Sequence, residues 1–147
     1  MEKRIKIDEI EPGAYKAMLA LESYLATTQL TKTHKELIKI RASQINGCAF
    51  CIDMHTKDAL ENGETNQRIF LLNAWKETDL FTEEEKVLLA ITEEVTLIHR
   101  QGLTSDTYRR AKQIFDENYI AQVIMAVVTI NAWNRLSIST LKEIPKD

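Results

Sequence analysis

The sequence predicts an all-α fold. Its 147 residues include only four glycines and two prolines, too few for the many tight turns of an all-β domain. Apolar residues recur at helical spacing, and hydroxyl or acidic residues stand before several of these stretches, where helix N-caps occur. No run of alternating β-branched residues is long enough to require a sheet. We therefore expect one helical bundle of about six or seven helices, a single domain spanning residues 1–147.

The first half of the chain predicts four helices. Pro12 is typical of a first helical turn, and apolar residues at helical spacing follow it in YKAMLALESYL. Thr33 with Glu36 three residues later resembles a capping box, which opens a second helix through about Ile45. Asn46-Gly47 ends that helix. The next two predicted helices are Cys48 to Glu61, closed by Asn62-Gly63, and Asn66 to about Lys76.

Two further helices are predicted from their boundary residues. Thr82 with Glu85 is a second capping-box match, and the helix that it opens continues to His99–Arg100, where Gly102 stops it. Either Ser105 or Asp106 caps the following helix, which ends at about Phe115.

The last helix is predicted from about Asn118 to Leu141. Between Ile120 and Trp133 it is apolar on nearly all sides, so it lies at the centre of the domain or is covered by another subunit. Asn131, Asn134 and Arg135 interrupt this apolar surface and need polar partners. We expect them to form a hydrogen-bond network at a subunit interface, with a role near the mouth of the active site as the second interpretation.

Composition excludes several classes of protein. A formal net charge of −3 provides no basic surface for nucleic acid. The most apolar stretch, YIAQVIMAVVTINAW, is shorter than the roughly 20 residues that cross a membrane. The first residues, MEKRIKIDEI, lack the apolar run of a secretory signal. We therefore expect a cytoplasmic protein without nucleic-acid or membrane partners, in a compartment where structural disulfides are rare.

The only two cysteines, Cys48 and Cys51, stand close to His55 in the third predicted helix. At about 100° per residue, the three side chains fall within an arc of about 60°. Cys48 and Cys51 are close enough to form a disulfide, and Cys51 and His55 are one turn apart and can touch. Unpaired N–H groups at the helix start stabilise a thiolate, the reactive form of cysteine. This pattern favours redox chemistry over a structural role.

The two thiols differ in whether a neighbouring side chain can accept the thiol proton. Only Cys51 has an imidazole one turn away that can take its proton, so we assign Cys51 as the attacking thiol and Cys48 as the resolving thiol. The opposite assignment also has a physical basis, because Cys48 is nearer the helix end and would be more exposed.

Glu36 is a candidate partner of His55. It lies about ten residues before the turn at Asn46-Gly47, and His55 lies about eight residues after it. If the two helices fold back as a hairpin, these side chains come to similar depth, about 15 Å and 12 Å from the turn. A solvent-facing glutamate or a capping partner of Thr33 explains Glu36 equally well. Arg41 falls within the apolar arc of the same helix, so we expect it to pair with a carboxylate.

Glu36, Cys48, Cys51 and His55 match a known pattern: Glu, eleven residues, Cys, two residues, Cys, three residues, His. This pattern resembles the core motif of the alkylhydroperoxidase D family, within the carboxymuconolactone decarboxylase superfamily. The strings RASQINGCAFCIDMH (residues 41–55) and INAWNRL (residues 130–136) are also similar to that family. The resemblance implies an all-helical, alkylhydroperoxidase D-like fold that assembles as homo-oligomers, either trimers or hexamers.

The resemblance also implies a peroxidase without a bound cofactor. Cys51 would attack a hydroperoxide substrate to form a sulfenic acid, Cys48 would condense with it to a disulfide, and His55 and Glu36 would relay protons. An external dithiol would then reduce the disulfide; in the founding member this reductant is a lipoyl-bearing protein. Some members carry a second histidine just before the second cysteine. Here that position is Phe50, so the relay has one member fewer.

Other functions are consistent with the same residues. Cys48, Cys51, His55 and Glu36 are all zinc-ligand types, so they could form a structural or hydrolytic zinc site. A non-enzymatic redox sensor or oligomeric scaffold would also use the cysteine pair. A decarboxylase like the superfamily's namesake would leave that pair without a role.

Overall fold

The computed structural model describes residues 3–146 and confirms the all-α architecture. In this part of the chain there are nine α-helices, one 3-10 helix and no β-strand. The 3-10 helix, Leu72–Glu77, directly follows the fifth α-helix. The α-helices are α1 (Ile7–Ile10), α2 (Pro12–Ala26), α3 (Lys32–Asn46), α4 (Ala49–Glu61), α5 (Asn66–Leu71), α6 (Glu83–Thr96), α7 (Ile98–Gln101), α8 (Ser105–Ile114) and α9 (Glu117–Ser139).

Two of the nine α-helices, α1 and α7, have only four residues each. One turn is too short for apolar periodicity to show, so the sequence did not separate them. The sequence predicted a single helix that continues to His99–Arg100. Instead, α6 ends at Thr96, and a non-helical Leu97 separates it from α7. The helix predicted from Asn66 to about Lys76 has the expected extent, but it changes from α-helical to 3-10 geometry at Leu72.

The helix starts show which capping predictions were right. Thr82 and Glu85 form the predicted capping box, with both of its hydrogen bonds present. The predicted box at Thr33 is wrong, because Thr31 caps α3 by accepting the His34 N–H at 3.1 Å. Thr104, rather than Ser105 or Asp106, caps α8. Where several hydroxyl residues precede a helix, the residue at which the backbone becomes helical decides the cap.

The core is formed where α3, α6 and α9 pack against one another. α9 also packs against α2, α4 and α8, so the prediction that the last helix lies at the centre is confirmed. Its Val123 and Val127 are fully buried, as are Ile38 and Ile40 of α3. Among the helices of residues 3–146, none combines the length and the apolar content needed to cross a membrane.

The polar residues of α9 find their partners inside the chain. Asn46 Nδ2 donates to Asn131 Oδ1 at 3.0 Å and to Asn134 Oδ1 at 2.8 Å. Asn134 Nδ2 donates to Ser43 Oγ at 2.9 Å, and Arg135 donates to the Asn131 side chain. The expected network exists, and it joins α9 to α3 within one chain.

Arg41 pairs with a carboxylate, as predicted. Its guanidinium contacts Glu93 of α6 at 2.8–2.9 Å, and Trp75 and Lys76 donate to the same carboxylate. Burial alone would raise the pKa of Glu93, but the hydrogen bonds from Lys76, Trp75 and Arg41 outweigh it and hold the pKa below its ordinary value. The ionised carboxylate therefore stabilises the folded state.

Low pH should remove the stability that the ionised Glu93 carboxylate contributes to the folded state. A lowered folded-state pKa contributes stability that is present above the unfolded-state pKa, about 4.3, and is lost as pH falls through the folded-state value. We expect Glu93→Gln to lower the free energy of unfolding at pH 7, with a smaller difference from wild type below about pH 4. Urea unfolding of both proteins at several pH values measures this, with the exposed Glu61→Gln as the control. A difference that grows as pH falls would contradict it.

Candidate active site

The turn between α3 and α4 brings the predicted site residues together. Gly47 ends α3 with φ 70°, a left-handed conformation that glycine adopts without strain. The Cys48 N–H then donates to the Ser43 carbonyl at 3.0 Å, which closes the helix end in a Schellman-like turn. Because α4 folds back onto α3, the predicted hairpin is confirmed.

The cysteines begin α4. Cys48 is its N-cap, and its sulfur accepts the Cys51 N–H at 3.4 Å. Cys48 and Cys51 are paired in a disulfide, with their Cα atoms 5.4 Å apart. Cys48 is 0% exposed and Cys51 is 2% exposed. The expectation that Cys48 would be the more exposed thiol is therefore wrong, because its position at the helix start does not bring it to the surface.

His55 meets Glu36 across the hairpin. His55 Nδ1 lies 3.0 Å from Glu36 Oε2, and the side chains are only 7% and 12% exposed. The predicted contact between the two is thus confirmed. When Nδ1 donates to the carboxylate, Nε2 keeps its lone pair and can accept a proton. Cys51 lies one helical turn before His55 on α4, a spacing that places its sulfur on the same face of the helix as this imidazole.

Charged residues that the sequence did not single out complete this site. Lys39 Nζ lies 3.8 Å from Glu36 Oε1 and 3.5 Å from Glu22 Oε2. Asp58 Oδ2 lies 3.5 Å from His55 Nδ1. The available signal was helical spacing, since Lys39 and Asp58 are each three residues after a site residue. Spacing alone did not distinguish them from ordinary surface charges.

A metal site fits these residues poorly. Among the residues described, Glu36, His55 and Asp58 are close enough to share a cation, with ligand atoms within 4.8 Å. However, His55 Nδ1 is already engaged with Glu36, and the Lys39 ammonium beside Glu36 would repel a cation. The zinc set considered above also needs both sulfurs as thiolates, whereas here the sulfurs are bonded to each other. We assign no metal ligand.

Phe50 lies between the cysteines, where a second histidine would stand in some relatives. It is half-buried, and the Lys142 ammonium sits 4.3 Å from its ring centroid, in a cation–π contact. The segment after α9 therefore folds over the first turn of α4. Phe50 therefore provides no titratable group between the two cysteines.

Comparison with known proteins relates the whole chain to one group. The model of the carboxymuconolactone decarboxylase family matches residues 12–94. The uncharacterized protein YdfG of Bacillus subtilis (strain 168) is 44% identical over 139 residues, which are 95% of each protein.

Solved structures show the same fold. A protein of unknown function from Agrobacterium tumefaciens, described as a candidate antioxidant defence protein AhpD, is 36% identical with a TM-score of 0.95. The alignment covers 99% of this chain and 100% of that one. The debrominase Bmp8 has a similar fold, with a TM-score of 0.81 and 16% identity over 93% of this chain and 74% of its own.

Proposed function

Because this chain belongs to the carboxymuconolactone decarboxylase family, we propose that it is a thiol-dependent peroxidase that reduces hydroperoxides through Cys51 and Cys48. The observation that supports this most directly is the Cys48–Cys51 disulfide next to a buried His55–Glu36 pair. A thiol, a base and a group that orients the base are the parts of an activated nucleophile. The family contains enzymes, and the resemblance to the alkylhydroperoxidase D motif covers all four residues.

Oxidation begins in the reduced protein. His55 takes the proton of the Cys51 thiol at Nε2, and Glu36 stabilises the resulting imidazolium through Nδ1. The thiolate attacks the hydroperoxide, so that an S–O bond forms and the O–O bond breaks. Two electrons pass from sulfur to the peroxide. The departing alkoxide takes the proton from His55 and leaves as an alcohol, and Cys51 is left as a sulfenic acid.

Resolution needs only Cys48. Its sulfur attacks the sulfenic sulfur of Cys51, the S–S bond forms, the S–O bond breaks, and the Cys48 proton leaves with the hydroxyl as water. The product is the Cys48–Cys51 disulfide. The 5.4 Å between their Cα atoms lies within the usual range for a disulfide, so the two oxidation states need little backbone rearrangement.

An external dithiol would close the cycle by thiol–disulfide exchange, becoming a disulfide while Cys48 and Cys51 regain their protons. In sum, hydroperoxide and dithiol give alcohol, water and oxidised dithiol. Because both cysteines are buried, the reductant must reach them on a slender group, and a lipoyl arm has that shape. We further propose that the chain works as a trimer or hexamer, as the resemblance implies.

Mass spectrometry tests the peroxidase proposal. The reduced protein is treated with one equivalent of tert-butyl hydroperoxide and then alkylated, with dihydrolipoamide added in a parallel turnover assay. We expect both cysteines to become resistant to alkylation, to recover on reduction, and to support repeated turnover. If both thiols remain alkylatable under conditions that oxidise a reference thiol, the protein is not a peroxidase of this type.

His55→Gln is expected to slow hydroperoxide reduction by about 100-fold or more, because the general base is lost. Glu36→Gln keeps a hydrogen-bonding group of the same size but removes the charge, so we expect a smaller loss in the same direction. Stopped-flow measurement of Cys51 oxidation gives both rates. Glu61→Gln, at the exposed end of the same α4, is the matched control and should behave like wild type. Equal rates in all four proteins would remove the imidazole–carboxylate pair from the mechanism.

A further inference from the structure

We infer that Asn134 of α9 is a positioning residue for the cysteine pair, acting through the turn that precedes Cys48. The inference is about how readily the Cys48–Cys51 disulfide forms. It rests on the proposed function only in that this disulfide is one state of the proposed catalytic cycle. No contact between Asn134 and the sulfurs is needed, because Asn134 holds the side chains of Ser43 and Asn46 in the last turn of α3, which leads into Cys48.

Asn134 binds two side chains in the last turn of α3, just before Gly47 and Cys48. Its Nδ2 donates to Ser43 Oγ at 2.9 Å, and the carbonyl of the same Ser43 accepts the Cys48 N–H at 3.0 Å. Its Oδ1 accepts from Asn46 Nδ2 at 2.8 Å, two residues before Cys48. Asn134 and Ser43 are both 0% exposed, so water cannot replace these bonds in the folded protein.

Neighbouring residues make this anchor rigid. Asn131, one turn earlier on α9, also accepts from Asn46, at 3.0 Å. Asn131 in turn donates to Thr96 Oγ1 of α6 at 3.0 Å and accepts from Arg135 at 3.0 Å. The end of α3 is therefore hydrogen-bonded directly to α9 and, through Asn131, indirectly to α6.

A rigid turn favours the disulfide. Cys48 is the N-cap of α4, so its backbone conformation decides whether its sulfur points at Cys51. If the turn is held in the reduced protein as well, the two sulfurs stay within bonding range and little conformational entropy is lost when the S–S bond forms. If the anchor is removed, the reduced state gains freedom that disulfide formation must take away. The disulfide then becomes easier to reduce.

The test is the reduction potential of the Cys48–Cys51 pair, measured by equilibrating the whole protein with dithiothreitol redox buffers. We expect Asn134→Ala to lower the equilibrium constant for disulfide formation about tenfold, which raises the potential by about 30 mV. Ser43→Ala removes a single bond of the anchor and should give a smaller shift in the same direction. That milder variant also serves if Asn134→Ala folds poorly.

Val123→Ala is the control for general destabilisation. Val123 is fully buried on the same helix, more than two turns from the anchor, and its truncation should lower the stability without changing the potential. An unchanged potential in Asn134→Ala and Ser43→Ala, or an equal shift in Val123→Ala, would overturn the inference. The measurement uses no peroxide. A shifted potential in a protein without peroxidase turnover would therefore support the inference while contradicting the proposed function.

Discussion

Cys51→Ser is expected to abolish hydroperoxide reduction, with a loss of about 10³-fold or more in the rate of peroxide consumption. The attacking group is a thiolate, and a serine hydroxyl at the same place is not ionised and is a poor nucleophile toward an O–O bond. The substitution replaces a buried sulfur by a slightly smaller oxygen at the first turn of α4, so the fold should survive. Peroxide consumption is followed with tert-butyl hydroperoxide, and circular dichroism confirms that the protein is folded.

Cys48→Ser is the matched variant, because it removes the other sulfur of the same pair. We expect it to consume one equivalent of hydroperoxide and to stop there, with a sulfenic acid on Cys51 that a dimedone probe labels. Labelling of Cys48 in the Cys51→Ser protein, together with no reaction in Cys48→Ser, would reverse the two roles. This pair of variants therefore decides between the two assignments that residue spacing alone left open.

Arg68→Ala is expected to lower the free energy of unfolding by about 3 kcal/mol. Arg68 donates two hydrogen bonds to Glu85, at 2.6 and 3.1 Å, and another to Glu64 at 2.8 Å. Its guanidinium also lies over the Phe81 ring at 4.7 Å. Without Arg68, Glu85, whose side chain is 8% exposed, would remain as an uncompensated charge. Thermal unfolding should show a loss of about 10 °C.

Arg109→Ala is the control for this prediction. Arg109 forms an ion pair with Asp106 at 3.2 Å, but both side chains are more than two-thirds exposed. Such surface pairs contribute about 0–1 kcal/mol, so the melting temperature should hardly change. A similar loss in both variants would show that burial of the Arg68–Glu85 pair is not what matters.

The Arg68–Glu85 pair contributes to the free energy of unfolding by an amount that depends on pH. Burial alone would raise the pKa of Glu85, but the hydrogen bonds from Arg68 and from the Thr82 N–H hold it below its ordinary value. The stabilisation is thus present at neutral pH and is lost as pH falls below about 4. The difference between wild type and Arg68→Ala should therefore shrink in acid.

The cysteine site could be anticipated from the sequence because its parts are local. Cys48, Cys51 and His55 lie on one short helix, where the rise and rotation per residue place the side chains. Glu36 could be added because Gly47 marks the turn between the two helices, and Glu36 and His55 lie at similar distances from it along the chain. The 3.0 Å between Glu36 Oε2 and His55 Nδ1 agrees with this placement. For Glu36, spacing alone left a solvent-facing or capping role open, and the family resemblance favoured the contact with His55.

Residues brought together by packing could not be anticipated. Asn134 is separated by 91 positions from Ser43, and nothing in INAWNRL indicates that it holds the turn before Cys48. The choice of Thr31 over Thr33 as the cap, and the break at Leu97, were also missed. The N-cap residue and the helix break both depend on how neighbouring helices constrain the backbone. The local sequence is compatible with more than one cap and more than one helix end.

Taken alone, the sequence determined the helical class, the nearly all-apolar surface of the last helix and the line of sulfur, sulfur and imidazole along one helix. These follow from periodicity and from the fixed geometry of a helix, which act over a few residues. The tertiary structure decided that both cysteines are buried, that Lys39 and Asp58 flank the Glu36–His55 pair, and that α9 anchors the turn. These depend on contacts between distant segments, which form only when helices pack, so no local pattern encodes them.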